Sequence, residues 1–214
     1  MQWIIATRSR GKLAELTPLL AAHGIDAIGL DDAGVAVDPG ADDGIEVFDT
    51  FEANALAKAR YFAERTGQPC VADDSGLIVD TLDGRPGVRS RRFARDLGIA
   101  TSCDDEDDAN NRAMLQACWD GGRAPPWLAR FACAAAYADA RRSVAALGHT
   151  EGTIIPDRVG EGGFGYDPFF RSNDLGETFA AASREAKALV SHRARAFACL
   201  LALVLPENSA TPAR

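Results

Sequence analysis

Short apolar runs alternate along this chain with longer segments whose apolar residues recur at helical spacing, and this alternation constrains the fold most strongly. Residues 3–6 predict a buried first strand, because the run is short and continuous and stops at a polar loop. The leucine spacing over 13–20 then predicts a helix, and 25–30 can form a second strand. Residues 51–65 predict another helix that ends at Gly67.

The second half of the chain continues the pattern and adds a hairpin. Residues 105–119 and 183–205 are helical by pattern, the latter with a break near Ser191. Residues 131–137 and 143–149 predict two antiparallel strands around a polar turn. Helices interleaved with strands, together with one hairpin, predict an α/β fold with a mixed central sheet flanked by helices.

The length of the chain limits the number of domains. With 214 residues, of which 47% are hydrophobic, the chain can bury one substantial core. We therefore expect residues 1–214 to form a single domain with two lobes, ending in a flexible tail at about 206–214.

Charge and hydropathy exclude several classes of protein. The net charge of −8 disfavours a nucleic-acid-binding protein, which needs a basic surface, but permits a small anionic ligand held by local cations. The longest apolar run, 198–205, is too short to cross a membrane, and the N-terminus lacks the pattern of a signal peptide. Five scattered cysteines, including Cys103, indicate reduced thiols. We expect a cytoplasmic protein.

A polar loop joins the first predicted strand to the first predicted helix. It consists of Thr7, Arg8, Ser9, Arg10, Gly11 and Lys12. Free backbone N–H groups and the helix dipole favour an anion at such a place, and Lys12 adds a point charge. The loop is not a Walker A motif, since its first glycine is missing and Leu13 occupies the Ser/Thr position. A helix-capping turn is the alternative interpretation.

Lysine is rare among the basic residues of this chain. Only Lys12, Lys58 and Lys187 are lysines among 23 basic residues. A compact ammonium group suits a phosphate oxygen, so three retained lysines are candidates for phosphate contacts. Chance is the alternative in so small a sample.

Two adjacent carboxylates, Asp73 and Asp74, precede Ser75 and Gly76 and lie between two short β-type runs, where strands are expected to end. Side chains alternate along a strand, so one of the two carboxylates should face a ligand. Magnesium is typically held by one or two carboxylates with substrate phosphates, and Glu46 is a candidate second ligand. A simple turn is the alternative, because Asp, Ser and Gly are common turn formers.

A glycine loop at 160–165 matches G-x-G-x-x-G literally, but its context does not indicate a dinucleotide-binding motif. It neither follows a clear strand nor opens a helix. What remains is a loop with aromatic rings and one acid, which can stack on a base and hydrogen-bond it, or can simply anchor itself to the core. Its candidate binding residues are Phe164, Gly165, Tyr166 and Asp167.

Three polar residues on the C-terminal helical segment complete the candidate set. His192 and Arg193 can donate hydrogen bonds to the exocyclic oxygens of a purine, and Lys187 can reach the same ligand. An ordinary solvated helix face is the alternative.

Taken in this order, the motifs resemble the inosine triphosphate pyrophosphatase family, also called dITP/XTP pyrophosphatases. The resemblance runs from about residue 4 to 201. It is carried by 73–77, by Pro86-Gly87 with Ser90 and Arg92, by 163–168, and by Lys187 with 191–193. It implies two lobes with a cleft between them, a homodimer, and Mg²⁺ as cofactor.

The resemblance also implies roles for individual residues. Glu46 and Asp74 would bind Mg²⁺, and Asp74 would be the base or the metal ligand that prepares water. The loop from Thr7 to Lys12 and Ser75 would hold the triphosphate. Phe164 to Asp167, Lys187, His192 and Arg193 would hold the nucleotide, with His192 and Arg193 reading the 6-oxo purine.

The implied reaction is hydrolysis between the α and β phosphates of ITP, dITP or XTP. Ser9 stands where the family usually has asparagine, Ala53 where it has glutamate, and Phe48 where it has glycine. Two alternatives remain: a pyrophosphatase for modified pyrimidine triphosphates, and a nucleotide-binding protein without turnover.

Overall fold

The computed structural model describes residues 2–38, 44–99 and 106–205. Cys103, part of the acidic loop predicted at 31–43, and the tail predicted at 206–214 lie outside these ranges. Within them, no helix is both long and apolar enough to span a lipid bilayer.

The described ranges contain six strands and six α-helices. The strands are β1 (Trp3–Ile5), β2 (Ala27–Gly29), β3 (Cys70–Val79), β4 (Trp127–Ala138), β5 (Ser143–Ile154) and β6 (Phe170–Ser172). The helices are α1 (Arg10–Ala22), α2 (Phe51–Thr66), α3 (Phe93–Asp96), α4 (Glu106–Asp120), α5 (Arg184–Val190) and α6 (His192–Val204). Short 3₁₀ turns cover Asp80–Leu82 and Gly87–Arg92.

All six described strands form one mixed sheet in the order β2-β1-β3-β4-β5-β6. β1 is parallel to both β2 and β3, whereas the pairs from β3 to β6 are antiparallel. The predicted α/β fold with a mixed sheet is therefore confirmed. The predicted hairpin is also correct, although its two strands are longer than the sequence indicated.

Helix boundaries follow from local capping. The Ser9 hydroxyl accepts from the Lys12 amide at the start of α1, and Thr50 caps α2 in the same way. Gly67 ends α2 in the left-handed conformation, as expected for a C-terminal glycine. Ser191 closes α5 and caps α6, which explains the predicted break at this residue.

Buried side chains form three clusters along the sheet. Two of them sandwich one end of it, with α1 and α6 on one face and α2 on the other. The third lies at the other end and includes α4 and the aromatic residues Phe131, Phe170 and Phe179. The two ends correspond to the two predicted lobes, and residues 73–76 of β3 lie between them.

Two glycines allow backbone segments to approach this junction closely. A Cβ atom on Gly148 of β5 would lie 2.3 Å from the Ala196 nitrogen of α6. A Cβ atom on Gly76 would lie 2.3 Å from the Gly87 carbonyl oxygen. The missing side chains therefore bring α6 and the 3₁₀ turn at Gly87–Arg92 into direct contact with the sheet.

Candidate active site

The polar residues 73–76 lie in the middle of β3, which is one continuous strand of ten residues. The expectation that the carboxylates emerge where two short strands end is therefore wrong. Pairing of β3 with β4 continues through Asp73 and Asp74, opposite Ala135 and Ala134, so no turn forms. Because side chains alternate, Asp73 faces α1 and α6 while Asp74 faces α2.

Asp73 is buried between two cations. Its Oδ2 atom lies 3.0 Å from Lys12 Nζ and accepts a hydrogen bond from Arg193 Nε at 3.1 Å. The Ser75 hydroxyl also donates to this oxygen at 3.3 Å. Burial alone would raise the pKa of Asp73, but the charges of Lys12 and Arg193 outweigh it and hold the pKa far below its usual value. Asp73 is thus a permanent anion that fixes both cations.

Glu15 of α1 and Lys187 of α5 extend this charged cluster. The Glu15 carboxylate lies 2.8 Å from Lys187 Nζ and forms an ion pair with Arg193. Lys187 also lies 2.7 Å from Asp167 Oδ2. These buried pairs join α1, α5, α6 and the glycine loop at a single point.

Asp74, on the opposite face, has a different environment. Its Oδ2 atom accepts from Asn54 Nδ2 at 2.9 Å, and its Oδ1 atom accepts from the Ser75 amide at 2.9 Å. Burial, followed by the negative charge of Glu46, raises the pKa of Asp74 to about 6. The two neighbouring aspartates therefore have opposite pKa shifts, because Lys12 and Arg193 outweigh burial at Asp73, whereas burial and the charge of Glu46 prevail at Asp74.

Glu46 lies in the loop before α2 and forms an ion pair with the buried Lys58. Burial would raise the pKa of Glu46, but the Lys58 charge prevails and the pKa is lowered. Asn54 of α2 hydrogen-bonds both to Asp74 and to the backbone of Phe48, two residues after Glu46. The loop that carries Glu46 is therefore joined to Asp74 through one side chain.

The loop from Thr7 to Lys12 lies at the N-terminus of α1, beside β3. Ser9 is the N-cap of α1, so this segment is a helix-capping turn. It also leaves the start of a helix beside β3, as the interpretation as an anion site requires. Lys12 Nζ donates to the Asp73 carbonyl at 3.2 Å, which directs it toward the strand. Arg8 instead pairs with Asp31 at 3.2 Å, and Arg10 is exposed.

The glycine loop brings Phe164 and Asp167 to the cluster. Lys187 Nζ lies 5.1 Å and Arg193 Cζ 5.7 Å from the centroid of the Phe164 ring. The Asp167 carboxylate accepts from the Phe164 amide at 2.9 Å, which closes the loop. This loop is joined to the core as well as to the cluster.

Tyr166 and Gly165 connect the same loop to neighbouring segments. The buried Tyr166 hydroxyl donates to the Ser90 carbonyl at 2.7 Å. The Gly165 amide donates to Asp107 at 2.8 Å, and its carbonyl accepts from Asn111 at 3.0 Å. The side chain of Tyr166 therefore contributes to packing, whereas Phe164 borders the charged cluster.

His192 opens α6 directly beside Arg193. Its ring stacks on Phe131 with centroids 4.7 Å apart, and its buried Nδ1 has no hydrogen-bond partner among the described residues. Burial and the charges of Arg193 and Lys187 lower the pKa of His192 well below its usual value. The imidazole is therefore neutral near pH 7 and carries one N–H donor.

Four of the predicted cations come from four different helices to the region around β3 and the glycine loop, namely Lys12, Lys58, Lys187 and Arg193. Of the other predicted residues, Arg8 pairs with Asp31 and Arg10 is exposed. Sequence reasoning did not assign a role to Asp73, Glu15 or Asn54. Glu15 lies three residues after Lys12, and this helical spacing was the available signal. Asn54 gives no signal of its own in the sequence, because the partners of a single amide cannot be read from local spacing.

Two cavities lie away from this cluster. One, of about 340 Å³, is lined by Val35 and Arg65, and the other, of about 400 Å³, by Leu82 and Leu97. Neither lining includes Asp73, Asp74 or Lys12. The charged cluster around Asp73 is therefore the candidate site.

The fold and the site together define a mixed α/β protein with a buried cluster of cations and carboxylates between the hydrophobic clusters at the two ends of the sheet. The family model of the Ham1 family matches residues 3–203. The chain belongs to the Ham1 family.

Similar proteins cover nearly the whole chain. It is 44% identical over 201 residues to a protein of Nitratidesulfovibrio vulgaris named dITP/XTP pyrophosphatase, with 94% of each chain covered. It is 43% identical to a protein of the same name from Nocardia farcinica, with 92% of each covered. The family resemblance predicted from the motifs is thus confirmed.

Solved structures give the same result. A HAM1 protein from Coxiella burnetii is 30% identical with a TM-score of 0.78, and the match covers 95% of this chain and 98% of that one. A nucleoside-triphosphatase / dITP/XTP pyrophosphatase from Mycobacterium abscessus is 36% identical with a TM-score of 0.68, covering 94% and 99%.

Asp73→Asn should destabilise the fold, because it leaves the buried cations Lys12 and Arg193 without their shared anion. We expect a loss of about 3–5 kcal/mol in the free energy of unfolding, measured by urea denaturation at pH 7. Asp80→Asn is the control, since Asp80 forms an exposed pair with Arg130 at 3.5 Å and should change stability by less than about 1 kcal/mol. Equal losses in the two variants would contradict the structural role of Asp73.

Proposed function

We propose that the chain hydrolyses purine nucleoside triphosphates with non-standard bases, namely ITP, dITP and XTP, to the nucleoside monophosphate and pyrophosphate. The observation that carries this proposal is a cluster of four cations paired with carboxylates at and beside β3. Lys12 and Arg193 pair with Asp73 of β3, Lys58 pairs with Glu46, and Lys187 pairs with Asp167. Such a cluster suits a triphosphate. Relatives up to 44% identical named dITP/XTP pyrophosphatase support the same substrate class.

We infer that Glu46 and Asp74 bind Mg²⁺. Their carboxylate oxygens are the hard ligands that this ion prefers. Burial and then the negative charge of Glu46 raise the pKa of Asp74, and a bound cation would offset both effects. No cluster of three or more His, Cys, Asp or Glu occurs in the described ranges, so substrate phosphates and water would complete the coordination. When bound, the ion would neutralise phosphate charge and lower the pKa of water.

The phosphate contacts are assigned to the start of α1 and to Ser75. Amide groups at the helix N-terminus and the Lys12 ammonium group favour the negative charge of the phosphates and of the transition state. The loop residues Thr7, Arg8, Ser9, Arg10 and Gly11 would surround the triphosphate. The Ser75 hydroxyl, held by Arg193 NH2 at 2.9 Å, would touch it as well.

The base contacts are assigned to the glycine loop and α6. Phe164, Gly165, Tyr166 and Asp167 would hold the nucleotide together with Lys187. His192 and Arg193 would donate to the oxygen at purine position 6. Adenine has an amino group there, so donor would face donor and ATP would be rejected.

Asp74 is assigned as the base or metal ligand that prepares the attacking water. Above a pH of about 6 its carboxylate is ionised, which suits either role near neutral pH. A homodimer is proposed from the family resemblance, and light scattering of the purified protein would test it.

The function is tested by measuring pyrophosphate release from ITP, XTP, ATP, GTP, dTTP and methylated pyrimidine triphosphates, with and without Mg²⁺. We expect rapid, Mg²⁺-dependent release from ITP and XTP. Preferred release from the methylated pyrimidines would favour the pyrimidine alternative. No release from any substrate would favour a binding protein without turnover.

Asp74→Asn should lower turnover of ITP by about 10²–10⁴-fold or more, because the carboxylate that prepares water is lost. Steady-state kinetics would measure the loss, and circular dichroism would show that the fold is intact. Asp80→Asn, just beyond the end of β3, is a control that should keep normal turnover. A folded Asp74→Asn protein with near-normal turnover would refute the assignment.

His192→Ala should reduce the preference for ITP over ATP by about tenfold, because one buried hydrogen-bond donor to the purine 6-oxygen is lost. The ratio of kcat/KM values for ITP and ATP measures this preference. Phe131→Leu is the control, since it removes the ring that stacks on His192 but keeps the imidazole. If the ratio stays the same in His192→Ala, His192 does not read the base.

A further inference from the structure

The side chain of Asn54 on α2 forms three hydrogen bonds although it is only 1% exposed. Its Nδ2 atom donates to Asp74 Oδ2 at 2.9 Å and to the Phe48 carbonyl at 3.1 Å. Its Oδ1 atom accepts from the Phe48 amide at 2.9 Å. One amide group thus connects a carboxylate of β3 to the backbone of the loop that carries Glu46.

The loop is held at two places close to Glu46. Phe48 follows Glu46 by two residues, and both of its backbone polar groups are occupied by Asn54. Arg92 NH2 donates to the carbonyl of Glu46 itself at 3.1 Å. The Glu46 side chain is meanwhile paired with Lys58. The loop cannot move toward or away from Asp74 without breaking these contacts.

We propose that Asn54 is a positioning residue that sets the separation and orientation of the Glu46 and Asp74 carboxylates for a divalent cation. The inference rests on the proposed function, in which this pair binds the metal ion. Groups that hydrogen-bond to metal ligands fix the orientation of those ligands and commonly alter metal affinity.

The chemistry of an amide suits this position. Asn54 donates one hydrogen bond to Asp74 Oδ2, and the Ser75 amide donates one to Oδ1, so each oxygen keeps a lone pair for a cation. Because the amide is neutral, it orients Asp74 without competing for the charge of the ion.

This role is compatible with Phe48, which stands where the family usually has glycine. The Phe48 side chain is 48% exposed, whereas its backbone N–H and carbonyl both bind Asn54. The contact with Asn54 uses backbone atoms alone, so the larger side chain does not prevent it.

Asn110 on α4 provides a matched control. It is 3% exposed, its Oδ1 accepts from the Ala94 amide, and its Nδ2 donates to the Arg91 carbonyl, both at 2.8 Å. Asn110 therefore bridges two backbone groups much as Asn54 does, but within the described residues it has no hydrogen bond to a carboxylate. Asn54→Ala and Asn110→Ala remove equivalent buried amides.

The test is titration of Mn²⁺ alone, without nucleotide, into wild-type protein, Asn54→Ala and Asn110→Ala, followed by electron paramagnetic resonance of the free ion. We expect Asn54→Ala to bind Mn²⁺ about 10–100-fold more weakly and Asn110→Ala to bind as the wild type does. Excess Mg²⁺ should restore turnover of ITP in Asn54→Ala. Thermal unfolding of the metal-free proteins should give similar Tm values for the two variants.

Several outcomes would overturn the inference. These are unchanged Mn²⁺ affinity in Asn54→Ala, equal weakening in Asn110→Ala, or failure of Asn54→Ala alone to fold. A wild-type protein that hydrolyses ITP but does not bind Mn²⁺ would overturn the inference and leave the proposed function standing. A wild-type protein that neither hydrolyses ITP nor binds Mn²⁺ would refute both the inference and the proposed function.

Discussion

The contact on which the rest of the site depends is the buried carboxylate of Asp73 between Lys12 and Arg193. A buried anion is stable only when cations and hydrogen bonds replace its water, and here α1 and α6 provide them. Arg193 in turn pairs with Glu15, which also pairs with Lys187. The charges therefore fix how α1, α5 and α6 meet. Four residues proposed to bind nucleotide belong to this arrangement, namely Lys12, Ser75, Lys187 and Arg193.

Asp73 and Asp74 show how a strand separates two functions at neighbouring positions. Alternation directs Asp73 toward the cations of α1 and α6 and Asp74 toward Asn54 and the Glu46 loop. The first carboxylate is held ionised and stabilises the structure, while the second has a pKa raised to about 6. Burial is common to both, so the difference comes from the groups each one contacts.

Much of the fold could be predicted from periodicity and capping residues. The first helix, the hairpin and the break at Ser191 all follow from local spacing and end signals, which act over a few residues. The continuous β3 strand could not be predicted, because Asp, Ser and Gly locally favour turns. Pairing with the alanine-rich β4 overrides that preference over all ten residues.

The sequence by itself determined the family, the order of the motifs and which residues carry charge or hydrogen-bonding groups, because these are properties of side chains and spacing. Only the tertiary structure decided that Glu15 joins Lys187 and Arg193, and that Asn54 links Asp74 to the Glu46 loop. Glu15 and Arg193 are 178 residues apart in the chain, and Asn54 and Asp74 are 20 apart. Close packing of helices on both faces of one sheet brings them together, and no local pattern encodes that contact.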